Sequence, residues 1–315
     1  MVAGMHVLNS LIPVFLIIAL GKALTRASFF SADLGRNLNR LTYWIALPAL
    51  LLNKITNATF SANEVSRISF LLITSTICSA IVGIVMAKLL GLNRRQSGAF
   101  VQGSSRANNA FVGLPVILYS MSETAPRIEA LATIALAPAI VFYNIFSITV
   151  LLAYGSREKR RPVATAALFC KQLLTNPLLV SCAAAILLNM VGFHFPSAIG
   201  RSLATLGNSA LALALLSIGT SLSFKGLNRG LPLSFLSSAI KVFIQPLIGF
   251  GLARLLGLSP LNRQILLIYL ACPTAVASFV MADIFDSDRD LAGHIIVVST
   301  LLSAISLSII IALGS

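Results

Sequence analysis

The hexapeptide AKLLGL at Ala87–Leu92 returns as ARLLGL at Ala253–Leu258, and each copy leads through an Arg-Gln pair, Arg95-Gln96 or Arg263-Gln264, into a long apolar segment. Both segments are interrupted mid-length by residues that a lipid-embedded helix should avoid. The first carries Ser104-Ser105-Arg106-Ala107-Asn108-Asn109 and then Gly113-Leu114-Pro115; the second carries Cys272-Pro273-Thr274. In hydrocarbon an unsatisfied backbone group is so costly that irregular backbone survives only against protein or a watery cavity. Matching interruptions in two halves of a chain point to a binding site near the bilayer midplane.

Composition places that pattern in a membrane. The 315 residues are 57% hydrophobic and only 10% charged, too few charges to cover a water-facing surface. Ten mostly apolar stretches approach the roughly 20 residues needed to cross a bilayer: 7–25, 36–56, 67–90, 95–119, 127–153, 168–192, 197–222, 231–256, 261–283 and 290–313. They leave no room for a soluble domain, and no phosphate-binding loop ending in Gly-Lys-Ser/Thr is present. The expected fold class is therefore an all-α polytopic membrane protein with ten transmembrane helices.

The net charge of +14 is a topological signal rather than one for nucleic acid. Fifteen of the 23 Lys and Arg fall in the loops of one side and six in those of the other, with Arg106 and Lys241 inside predicted helices. The positive-inside rule makes the richer side cytoplasmic and both termini extracytoplasmic. A basic loop over 156–167 then divides the chain into a first five-helix repeat, 1–155, and a second, 168–315. An odd number of spans per repeat inverts the second relative to the first. Pro13 mirrors Pro177, and the ending ITVLLAYG (Ile148–Gly155) mirrors LSIIIALG (Leu307–Gly314).

Chemistry concentrates at the breaks. Arg106 lies about 11 residues into its segment, about 16 Å deep at about 1.5 Å per residue. A cation there must face a cavity or find a partner. It is either a clamp on the broken helix or a receptor for an anionic substrate, whose carboxylate the planar guanidinium fork would fit. Asn108 and Asn109 offer both donors and acceptors. Lys241 is similarly deep and either snorkels to an interface or joins the site. Pro115 and Pro273 open the breaks, while Asn144, Thr274 and Ser278 are candidate partners. Half-helices that end at a break present positive amide ends and negative carbonyl ends, suited to an anion. Pro48 and Pro246 are read as packing kinks.

Other chemistries lack support. The four cysteines have no metal or redox spacing, the three histidines do not cluster, and Asp283–Asp290 lacks the Gly and terminal Glu of a calcium loop. No constellation for intramembrane catalysis is visible. The expectation is no enzyme, no cofactor and no metal.

The stretch RANNAFVGLP (Arg106–Pro115) resembles the Arg/Asn…Gly-x-Pro motif of the auxin efflux carrier family, which includes bacterial organic-acid permeases and the plant PIN carriers. PTAVASF (Pro273–Phe279), LPALL (Leu47–Leu51), LSIGTSL (Leu216–Leu222) and VSTLLS (Val298–Ser303) are similar to other segments of that family. The resemblance implies inverted five-helix repeats, with spans 1, 2, 6 and 7 as a scaffold able to form a homodimer. Spans 3–5 and 8–10 would form a moving transport domain whose broken helices cross. It also implies a bacterial short form in the inner membrane, carrying small organic anions. Asn108 matches the crossover asparagine, whereas Ala277 stands where many bacterial members carry Asn. The rival expectation is a sodium-coupled symporter of a bile-acid-like or neutral solute on the same fold.

Overall fold

The repeated hexapeptide is a helix ending. In the computed structural model, which describes residues 2–58, 61–121, 126–155, 175–224 and 226–314, α1 spans Val2–Arg26, α2 Ala32–Leu41, α3 Leu47–Thr56 and α4 Ala62–Leu89. The first copy closes α4: Gly91 takes a left-handed φ of 61°, Gly91 N–H donates to Lys88 O at 3.1 Å and Leu92 N–H to Ala87 O at 3.0 Å. The second copy ends a later helix in the same way, with Gly257 at φ 62° and Leu258 N–H donating to Ala253 O at 2.9 Å. Only glycine adopts that φ without strain, which is why both copies keep it at the same place.

Each turn feeds a capped half-helix. Asn93 caps α5 (Arg94–Ser105): its side chain accepts from Gln96 N–H while the Gln96 side chain accepts from Asn93 N–H. After the first break come α6 (Leu114–Met121) and α7 (Pro126–Tyr154), then α8 (Pro177–Met190), α9 (Ser197–Ser221), α10 (Leu227–Ala239) and α11 (Gln245–Leu255). Ser259 caps α12 (Pro260–Ala271), and α13 (Ala277–Ile284) and α14 (Arg289–Gly314) complete the chain.

Three π-helical turns, Thr42–Ala46, Asn109–Gly113 and Ile240–Ile244, share one cause. Each is followed two residues later by a proline: Pro48, Pro115 and Pro246. A helical proline removes one backbone donor and its ring strikes the carbonyl four residues back. A wider turn relieves that clash, and the preceding N–H bonds one residue farther back: Leu47 to Thr42 O, Leu114 to Asn109 O and Gln245 to Ile240 O. Pro115 thus has the same local role as the two prolines read as packing kinks.

The described residues are helical throughout, with no strand and a single isolated bridge between Ala107 and Thr274. Among the described residues, six helices are long and apolar enough to cross a membrane: Asn9–Arg26, Ala62–Leu89, Ala130–Tyr154, Ser197–Ser221, Gly230–Leu255 and Arg289–Gly314. Two of the remaining expected segments, 95–119 and 261–283, are broken where the sequence reading breaks them. The basic loop 156–167 and the start of the 168–192 segment lie outside the described residues.

Packing joins two sets of helices, which also meet each other where α1 touches α6 and α14 and where α3 touches α7. α1 lies against α9, and α3 against α8 and α9; the other group joins α4 with α5, α7 and α11, and α14 with α10, α12 and α13. The α1–α9 crossing is close because a Cβ on Gly21 would meet Leu216 O, and one on Gly219 would meet Ile18 O. Small residues let helix backbones approach where lipid supplies no hydrophobic drive.

Candidate functional site

The two breaks meet back to back. Asn108 N–H donates to Pro273 O at 2.8 Å and Ala275 N–H to Arg106 O at 3.2 Å, a two-bond antiparallel bridge across the crossing. Arg106 and Cys272 are extended, at φ −82° and −61°. Proline after Cys272 disfavours helix there, so the second break is local chemistry. The first has no such proline and relies on its partner for backbone bonds.

A broken helix leaves its last carbonyls without internal donors, and here side chains supply them. At the end of α5, Thr274 Oγ1 donates to Gly103 O at 2.7 Å, Ser79 Oγ to Ser104 O at 2.7 Å and Gln245 Nε2 to Ser105 O at 3.3 Å. At the end of α12, Lys241 Nζ donates to Leu270 O at 2.7 Å and Ser306 Oγ to Ala271 O at 3.2 Å. The carbonyl ends are satisfied by protein.

The amide ends face open space. A cavity of about 450 Å³ is lined by Asn109–Phe111 at the first amide end and Ala275–Ala277 at the second. Such a volume suits a small-molecule ligand. Arg106 lines it while 8% exposed, donating through Nη2 to Asn144 Oδ1 at 3.0 Å and through Nη1 to the Met281 sulfur. A thioether is a weak acceptor and a guanidinium has five donors, so this one is under-served. Among the described residues no Asp or Glu is buried, and none pairs with Arg106. Beside it, Asn109 Nδ2 donates to Tyr143 Oη at 3.3 Å, while Asn108 Nδ2 and Asn109 Oδ1 are buried without partners.

Four sequence-predicted residues, Arg106, Asn108, Asn109 and Asn144, are brought together on this wall. Five others are not among its lining residues. Pro115 starts α6, Pro273 gives its carbonyl to the bridge, Thr274 spends its hydroxyl on Gly103, and Lys241 is fully buried against Leu270. Ser278 is buried with an unpartnered hydroxyl. Sequence reasoning missed Tyr43, Trp44, Tyr143 and Asn176. Tyr143 neighbours Asn144, and Asn176-Pro177 is a readable cap, its side chain accepting from Leu178 N–H at 3.0 Å. Nothing local marks Tyr43 or Trp44.

The lining also reveals a direction. Asn39, Arg40, Thr175, Asn176, Ile284 and Phe285 all belong to helix ends on the side of Gly155 and the basic segment that follows it; residues at the opposite ends contribute none.

Apolar helices, two of them broken and crossed beside a cavity, are the pattern of a membrane transporter. A family model described as "Membrane transport protein" matches residues 6–311, and the chain belongs to that family, in agreement with the resemblance to auxin efflux carriers. An "Uncharacterized transporter" of Methanothermobacter thermautotrophicus is 24% identical over 306 residues, covering 95% of each chain. Another "Uncharacterized transporter", from Methanocaldococcus jannaschii, is 26% identical over 86% of this chain and 87% of its own. A "Putative malonate transporter" of Rhizobium meliloti is 25% identical over 93% of this chain and 91% of its own. The protein is a membrane transporter.

Proposed function

We propose that this protein is a secondary carrier of small organic anions, mono- or dicarboxylates, working by alternating access. The observation that carries the reading is the Arg106 guanidinium: buried, lining the cavity and without a carboxylate partner among the described residues. A substrate carboxylate would take its free N–H groups, the Asn108 side-chain amide and the first-turn amides of Asn109–Phe111 and Val276–Ala277. Charge-assisted bonds of this kind are roughly twice as strong as neutral ones. The name of the Rhizobium relative supports the same substrate class.

The architecture that goes with this function is ten spans in two inverted five-helix repeats. α5–α6 and α12–α13 are the broken fourth and ninth spans. The group around α1, α3, α8 and α9 serves as scaffold and the other group as moving element, with a homodimer through the scaffold resting on family resemblance alone. The membrane is the bacterial inner membrane with both termini outside, supported by the charge asymmetry. The cavity then opens to the cytoplasm, making this an inward-facing state. An anion leaving the cell would gain about 2.3 kcal/mol per charge per 100 mV.

The test is uptake of radiolabelled malonate and other carboxylates into proteoliposomes, together with thermal shift of the purified protein. A bound anion should raise the melting temperature by mass action. Carboxylates that neither move nor stabilise the wild type, alongside a neutral solute that does both, would end the anion reading.

A further inference from the structure

Lys241 is the second buried cation of the crossing, and it is not among the residues that line the cavity. It is 0% exposed, sits in the π turn Ile240–Ile244, and its one hydrogen-bond partner is Leu270 O in the last turn of α12. No buried carboxylate among the described residues balances it. Gln245, one turn on and also fully buried, reaches the other broken helix by donating to Ser105 O and also donates to Thr76 Oγ1 of α4 at 3.0 Å. The helix α10–α11 therefore lays an ammonium on the carbonyl end of α12 and an amide on that of α5. Along α11, Gln245 Oε1 and, next to Gly249, Ser75 Oγ of α4 are buried without partners.

Carbonyl ends of broken helices carry partial negative charge and attract cations. In transporters they are where a coupling ion such as sodium is held. Backbone carbonyl oxygens are donors for a hard monovalent cation, and the carbonyl of Leu270 already holds a cation tethered to the chain. We propose that the Lys241 ammonium fills the position of a coupling cation, so that the carrier moves its anion without sodium. The inference rests on the carrier reading above. The tethered charge neutralises the α12 carbonyl end without the entropy loss of capturing an ion. Removing it strands Leu270 O beside the space vacated by the lysine side chain, which sodium can enter.

The experiment compares wild type and Lys241→Ser in sodium chloride and in choline chloride, by malonate exchange in proteoliposomes and by melting temperature of the purified protein. Wild type should exchange malonate at the same rate in both salts and show no sodium-specific thermal shift. Lys241→Ser should lose about tenfold or more in choline, as expected when buried carbonyls are stranded. Sodium should restore its exchange and raise its melting temperature. Sodium-stimulated exchange in the wild type overturns the proposal. So does full activity of Lys241→Ser in choline, or a folded serine variant that sodium neither stabilises nor rescues. Should the serine variant fail to fold in both salts, Lys241→Gln, which keeps more of the packing volume, carries the same expectations and refutations. A wild type that moves no carboxylate ends the carrier-of-anions reading instead, and the sodium shift of the variant still decides this one.

Discussion

The front and the back of the helix crossing each hold one buried cation, and the two are treated oppositely. Arg106, in front, lines the cavity, with an amide oxygen and a sulfur as its hydrogen-bond partners. Lys241, behind, is sealed from it and pinned to a carbonyl. The difference follows from helix polarity. Amide ends open forward, where a negative ligand can complete them, while carbonyl ends point backward, where a fixed positive charge and hydroxyls close them. A cation at mid-depth is thus either a receptor or a plug, and which one depends on the end of the broken helix it faces.

The comparison can be broken most directly at its front. Arg106→Ala should cut transport of the carboxylate that the wild type carries by about 100-fold or more while leaving protein levels and melting temperature near wild type, since truncating a buried charge contact costs about 2–5 kcal/mol of binding. Normal kinetics in that variant would remove Arg106 from the site. Arg106→Lys, which keeps the charge and loses the fork, should fall between the two.

The next largest effect tests whether front and back are mechanically joined. A Cβ on Gly113 would lie 2.6 Å from Tyr269 Cδ1 and 2.9 Å from Cys272 Sγ. Gly113→Val should force the two broken helices apart, costing about 1–3 kcal/mol by overpacking. Both melting temperature and transport should drop; an unaltered melting temperature would mean that the crossing is not tightly packed there.

Asn144→Ala removes the oxygen that orients the Arg106 fork. A hydrogen bond to a charged group is worth about 1.5–3 kcal/mol. The half-saturation concentration for malonate should therefore rise by about tenfold, with maximal rate less affected. The reverse split, rate lost and affinity kept, would assign Asn144 to the conformational change instead.

The smallest effect belongs to the cavity mouth. Arg40 is exposed and lines the opening. Arg40→Ala should slow anion entry only a few-fold, by loss of electrostatic steering, and the deficit should fade as salt rises past the range where the Debye length is about 10 Å. A deficit insensitive to salt would make Arg40 a binding residue.

Much of this was legible in the chain because the signals are local and the medium unforgiving. Polar residues and prolines amid apolar sequence marked both breaks. The mid-depth Arg106 and its Asn neighbours stood out for the same reason. The hexapeptide marked two equivalent helix ends whose left-handed glycines need no partner to specify them. Lys241 was visible as an anomaly, but its burial against Leu270 depends on where α10–α11 lies relative to α12. Thr274 looked like a ligand and is a cap, because its hydroxyl happens to reach Gly103 O. Tyr43 and Trp44 entered the cavity wall only because α2 is carried there by packing.

The sequence alone determined that the chain enters a membrane, where its helices break and that Arg106 stands at the first break, since hydropathy, proline and glycine act within a few residues. Tertiary structure decided which face of each break is open, because satisfying a stranded carbonyl or amide takes a donor or acceptor from a helix far away in the chain.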